Sequence, residues 1–202
     1  MANSRQFVHH RLHSLLGLLP IGLFLVFHLV ANYQATKGAA AYNEVIGNID
    51  KVPFILVLEF ALIYLPIFFH AVYGLYIAFQ AKHNVNNYGY FRNHMFMWQR
   101  ITGVITLIYI SWHVWETRIQ KALGAQVSFD MMHDILANPA MRIFYGVGIV
   151  AAVFHFSNGI WSFLVHWGIT VGPRSQRIAA YFTVGVFVVV SFIGLRALSA
   201  FV

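Results

Sequence analysis

Two pairs of histidines stand at one separation in this 202-residue chain: 42 residues part His28 from His70, and 42 part His113 from His155. The second member of each pair opens a related pattern, H-A-V-Y-G at 70–74 and H-F-S-N-G at 155–159. All four lie in strongly apolar stretches, where a polar imidazole without a partner is costly. A buried histidine repeated at matching positions of two halves points to a group held between them. Facing imidazoles suit six-coordinate b-type haem, each neutral ring giving one nitrogen to iron while its other N–H is held by a carbonyl or hydroxyl. Iron with both axial positions filled passes single electrons and takes no substrate. Two alternatives stand beside this one: hydrogen bonds between neighbouring helices, and a proton relay in a small transporter. Zinc suits the pairs poorly, because no carboxylate or thiolate accompanies each of them.

Residues of this kind need apolar elements to carry them, and the composition supplies those. The chain is 59% hydrophobic and 9% charged, where a soluble domain carries roughly 25% charged residues. An all-α membrane protein follows. Five segments reach the roughly 20 residues that a helix needs to cross a hydrocarbon core: Leu12–Tyr33, Phe54–Phe79, Met95–Trp115, Ile143–Ile169 and Ile178–Phe201. The first four form a four-helix bundle built from two related hairpins, the fifth is added, and 1–202 is one integral-membrane domain. The first segment has the basic flank of a signal peptide, but its apolar run is too long and no A-x-A site follows, so it is expected to be retained. The absence of cysteine excludes disulfides, iron–sulfur clusters and thiolate zinc sites.

A net charge of +7 reflects topology rather than nucleic-acid binding, since no basic run is interleaved with exposed aromatics. The 80–94 and 171–177 turns carry Lys82, Arg92, Arg174 and Arg177 without any acid. The 34–53 and 117–141 loops mix Lys37, Lys51, Arg118 and Lys121 with Glu44, Asp50, Asp130 and Asp134. This bias places the N-terminus in the cytoplasm and the C-terminus outside, in the cell membrane. Phe129, Met132 and Leu136, at helical spacing, predict a short helix on the outer surface.

At about 1.5 Å per residue, His28 lies about 7 Å from the outer end at Tyr33 and His113 about 4 Å from Glu116. His70 and His155 lie about 25 Å from Pro53 and about 20 Å from Arg142. Two layers emerge, an outer pair of His28 with His113 and an inner pair of His70 with His155. Each joins helices of opposite hairpins, as repeats commonly do at a shared site. Gly74 and Gly159, one turn past the inner histidines, leave room for a flat cofactor on that face. Gly17, Gly22 and Gly103 relieve crowding elsewhere.

His13, with Arg11, Ser14 and Arg100 at the cytoplasmic face, is placed to meet the propionates of an inner haem. A plain positive-inside flank accounts for the same residues equally well. Glu59 is the one acid within a predicted segment, at the level of the outer pair. It is a candidate for proton transfer to a quinone; the alternative is an ion pair with Arg118 or Arg142. His9, His10, His83, His94 and His133 read as solvated, and His166 beside Trp167 as interfacial. Pro20 and Pro66 are expected to kink their helices.

The segments R-L-H-S-L-L-G at 11–17, F-H-A-V-Y-G at 69–74, Q-R-I-T-G at 99–103, S-W-H-V-W-E-T-R at 111–118 and H-F-S-N-G at 155–159 carry a resemblance across essentially the whole chain. It resembles the cytochrome b-558 family, the five-helix, di-haem membrane-anchor subunits of succinate dehydrogenase in Gram-positive bacteria. The resemblance implies two haem b groups, with axial ligands falling on His28, His70, His113 and His155, the inner haem having the higher potential. It also implies flavoprotein and iron–sulfur partner subunits at the cytoplasmic face, and menaquinone as acceptor near the outer haem. The chain would then not oxidise succinate by itself. A cytochrome b subunit of another quinone-linked enzyme, such as a hydrogenase or formate dehydrogenase, is the nearest rival.

Overall fold

The computed structural model describes residues 4–82 and 84–202; His83, expected to be solvated, lies outside them. Among the described residues every regular element is helical. Helix α1 (Ser4–Leu18) runs into α2 (Pro20–Tyr33), and a 3₁₀ turn (Gln34–Lys37) leads to α3 (Ala39–Asp50). Helix α4 (Ile55–Glu59) continues through a π turn (Phe60–Tyr64) into α5 (Leu65–Gln80). Helix α6 (Phe91–Val114) likewise passes through a π turn (Trp115–Ile119) into α7 (Gln120–Ala122). Then come α8 (Phe129–Ala137), α9 (Pro139–His166) and α10 (Pro173–Ala200).

Four stretches are long and apolar enough to cross a membrane: Arg5–Lys37, Ile55–Gln80, Pro139–His166 and Pro173–Ala200. Helix α6, about 36 Å long over its 24 residues, is also long enough. Its first half carries Arg92, His94, Gln99 and Arg100, which lowers its hydropathy. Large apolar side chains cover the outside of the bundle, Phe54 and Phe79 being more than four-fifths exposed. That is the pattern expected of a lipid-facing surface.

Local chemistry sets the boundaries. Proline fits the first helical turn because its missing N–H is an orphan there. Helices α9 and α10 therefore start at Pro139 and Pro173, several residues before the apolar runs suggest. Asn138 caps α9 by accepting from the Ala140 N–H at 2.9 Å, and Ser128 caps α8 through the Met131 N–H. Pro66 removes the donor that the Leu62 carbonyl would have used. The chain widens just before it, and the Leu65 N–H reaches the Phe60 carbonyl in a π turn. Helix α3 is amphipathic in a segment that reads as a loop. Its Tyr42 is buried edge-on against Phe129 of α8 and Phe201 after α10.

The packed core lies to one side, where α10 meets α9 and α2, around Leu29, Ile149, Val153 and Val190. Gly194 allows this crossing: a Cβ there would stand 2.7 Å from Ile149 Cγ2. Helices α1 and α5 pair in one hairpin, and α6 and α9 in the other. Between the hairpins the bundle encloses a cavity.

Candidate functional site

The inner layer is built from main-chain acceptors. His70 on α5 directs Nδ1 at the His13 carbonyl on α1, 3.0 Å away. His155 on α9 directs Nδ1 at the Gln99 carbonyl on α6, also 3.0 Å away. A carbonyl only accepts, so both Nδ1 atoms carry the proton and both Nε2 atoms keep a free lone pair. Each ring approaches the partner helix of its own hairpin where that helix has no side chain. A Cβ on Gly17 would lie 2.4 Å from His70 Cε1, and one on Gly103 would lie 3.0 Å from His155 Cε1. The two rings then face each other across the hairpins with centres 6.0 Å apart, at 89°.

The outer layer repeats the facing with different supports. His28 on α2 and His113 on α6 have ring centres 5.7 Å apart, at 71°. The Asn32 amide donates to the His28 carbonyl at 2.8 Å and stands 3.3 Å from His28 Nε2, which makes Nε2 the acceptor. His113 Nδ1 is 3.3 Å from the Tyr145 hydroxyl, which donates to Glu116 Oε2 at 3.0 Å. A hydroxyl that has given its own proton away accepts the one on His113 Nδ1, and again Nε2 is left free.

These pairs fit iron porphyrin. An imidazole nitrogen binds a first-row metal at about 2 Å. Two such bonds, with about 1 Å from each nitrogen to its ring centre, separate facing centres by about 6 Å, the spacing of both layers. The cavity that all four rings line has a volume of about 1460 Å³, more than the 300–1,000 Å³ of an ordinary ligand pocket. It extends from Lys82 and Arg92 at one end to Asp50 and Lys121 at the other.

Beside the inner layer, His13 stacks on His70 with ring centres 4.0 Å apart and planes within 7°. Its Nε2 is buried without a protein partner, as are Nε of Arg11 and Nε of Arg100. Unpaired buried donors beside the inner layer suit carboxylate groups. Ser14 Oγ accepts from the Trp167 indole at 3.1 Å and donates to the Arg11 carbonyl. Arg100 turns back on its own helix, over the Phe96 ring and onto the Phe96 carbonyl. Gly74 and Gly159 line the cavity, but their missing Cβ atoms also admit neighbours, His13 Nε2 at 3.1 Å and Gln99 Nε2 at 3.6 Å respectively.

Glu59 sits at the outer level, and Arg118 meets it through Nε at 3.0 Å and Nη2 at 2.8 Å. Arg142 turns away, to the Leu136 and Ala137 carbonyls. Both Glu59 and Arg118 line the cavity. Of the remaining histidines, His9, His133 and His166 are exposed, and His10 and His94 half-buried.

Several participants escape a reading of the sequence. Gln99 clamps His155 from both sides, accepting from its ring and donating to its carbonyl at 2.9 Å; Asn158 holds the Gln99 side chain at 2.7 Å. Glu116 lies within a continuous helical run that outlasts the expected end at Trp115, so Glu59 is not the only acid at this depth.

Comparison with known proteins agrees with this architecture. The profile of the Succinate dehydrogenase/Fumarate reductase transmembrane subunit family matches residues 91–194. The chain is 56% identical over 202 residues, the full length of both proteins, to the succinate dehydrogenase cytochrome b558 subunit of Bacillus subtilis (strain 168). It belongs to the family of succinate dehydrogenase/fumarate reductase transmembrane subunits.

Proposed function

We propose that this chain is the di-haem cytochrome b anchor of a succinate dehydrogenase, carrying electrons from cytoplasmic flavoprotein and iron–sulfur subunits to menaquinone. One observation carries the reading: four imidazoles in two facing layers, three with Nδ1 held by an oxygen and Nε2 free, and the fourth, His28, keeping Nε2 as an acceptor beside the Asn32 amide. Bound b-type haem would supply one-electron redox chemistry at each layer. His70 and His155 would hold the inner group and His28 and His113 the outer one, with α6 crossing as the fifth span. Each layer draws one ring from each hairpin, which fixes the two sites at different depths and makes a path across the bilayer.

The chain's other polar groups take roles around that path. His13, Ser14 and Arg100 would receive the propionates of the inner group; His13 Nε2 and Arg100 Nε lack any other partner. Gly74 and Gly159 keep the wall of that pocket low. At the outer level Glu59 would exchange protons with a quinone through its carboxylate, with Arg118 holding that carboxylate in position. The basic 80–94 and 171–177 turns support an orientation with the N-terminus and the docking face for the soluble subunits in the cytoplasm, and the C-terminus outside.

A redox-titrated absorption spectrum of the purified complex tests the reading. Two haem b per chain with separate midpoints are expected; protein without haem b bands would support the proton-relay alternative. Co-purification of a flavoprotein that oxidises a donor other than succinate would reassign the complex.

A further inference from the structure

The two hairpins are alike at their histidines and unlike behind one of them. An offset of 85 residues carries His28 onto His113 and His70 onto His155. The same offset carries Phe24 onto Tyr109, Ala31 onto Glu116 and Phe60 onto Tyr145. At these matched positions, then, the second hairpin has a carboxylate and two phenols where the first has Phe24, Ala31 and Phe60.

The structure joins these substitutions into one chain of contacts. Tyr145 on α9 is 2% exposed, and its hydroxyl bridges His113 Nδ1 at 3.3 Å and Glu116 Oε2 at 3.0 Å. Tyr109 lies nearly parallel to the His113 ring, with centres 5.8 Å apart and planes at 23°, and meets Tyr145 edge-on. Gly148 permits this, because a Cβ there would come within 2.2 Å of the Tyr109 ring. His28 has Phe24 beside it at 5.4 Å, and His70 and His155 lean on neutral carbonyls. Only His113 is backed, through one hydroxyl, by an acid.

We infer that Glu116, acting through Tyr145, is a positioning residue that holds the His113 ring and lowers the reduction potential of the outer haem. The inference rests on the haem reading proposed above. An acid behind the N–H of a ligating imidazole draws that proton away from the ring and makes the other nitrogen a stronger donor. A stronger donor, and a negative charge nearby in a medium of low dielectric, both favour the more positive, oxidised iron. Both effects act in the same direction, and neither reaches the inner pair, whose supports lie at the other end of the cavity.

Redox titration of the full complex carrying Glu116→Gln or Tyr145→Phe tests this. Glutamine keeps an acceptor for the Tyr145 hydroxyl but removes the charge; phenylalanine removes the bridge. The expected result is a rise of one midpoint by about tenfold in the one-electron equilibrium, about 59 mV, with the other midpoint fixed. Unchanged midpoints in both variants, a fall, or an equal shift of both haems would overturn the inference. If Tyr145→Phe sheds the outer haem, Glu116→Gln decides alone, and haem loss from that variant counts against it. Failure of the haem reading is separately visible, as a wild-type complex that does not titrate in two steps.

Discussion

Arg118 grips a single oxygen of Glu59 with two of its nitrogens, at 3.0 and 2.8 Å, and so ties the start of the second hairpin arm to the π turn after α6. Both side chains are only about a quarter exposed or less, on the cavity wall at the level of the outer histidines. An unpaired carboxylate would be costly at this depth, and the guanidinium supplies its partner. The pair binds the helices together and keeps an acid in reach of the cavity.

Replacing Glu59 with Gln preserves shape and removes the proton carrier. Succinate-dependent quinone reduction is expected to fall at least tenfold, with both haem bands intact. Wild-type turnover in that variant would exclude Glu59 from proton transfer.

Ligand pairing gives a second outcome. His70→Ala and His155→Ala should each abolish the same spectral component, and His28→Ala and His113→Ala the other. Loss of one common component from His28→Ala and His70→Ala would show that the layers are wrongly assigned.

The glycines opposite the inner rings predict a graded effect. Gly17→Ala places a Cβ 2.4 Å from His70, and Gly103→Ala places one 3.0 Å from His155. Haem content, measured per polypeptide, should drop sharply in Gly17→Ala and less in Gly103→Ala.

Gly194→Ala is the contrasting case, since the Ile149 side chain that its Cβ would meet belongs to the packed core and touches neither glycine opposite the inner rings. Overpacking of this kind costs about 1–3 kcal/mol. A lower thermal midpoint with unchanged redox titration is expected; altered midpoints would mean that the core and the site are not separable.

Topology can be read directly because the chain has no cysteine. Asn86→Cys should react with an impermeant thiol reagent only from the cytoplasmic side, and Ala125→Cys only from outside. The opposite labelling would invert the orientation.

The histidines were legible in the sequence because a repeat leaves an integer spacing, and apolar surroundings make each imidazole conspicuous. What supports them was not. The His13 and Gln99 carbonyls are main-chain atoms that every residue possesses, so no residue type announces them. Glu116 was hidden by a boundary: hydropathy falls at Glu116 and Arg118, but the backbone continues helically through a π turn to Ala122. The choice between Arg118 and Arg142 as partner of Glu59 needed the fold, because Arg142 is drawn to the carbonyls at the end of α8. Helix α3 was missed for the opposite reason, its apolar face being too short to stand out until α8 and Phe201 cover it.

In each half, one helix steadies the inner imidazole of the other, so aim is settled before the halves ever meet. A membrane insertion machine that releases the chain hairpin by hairpin could therefore deliver two ready-made jaws. Closing them on a porphyrin would be a docking event, and apo-protein awaiting its pigment would keep its secondary structure while its halves stay loosely joined.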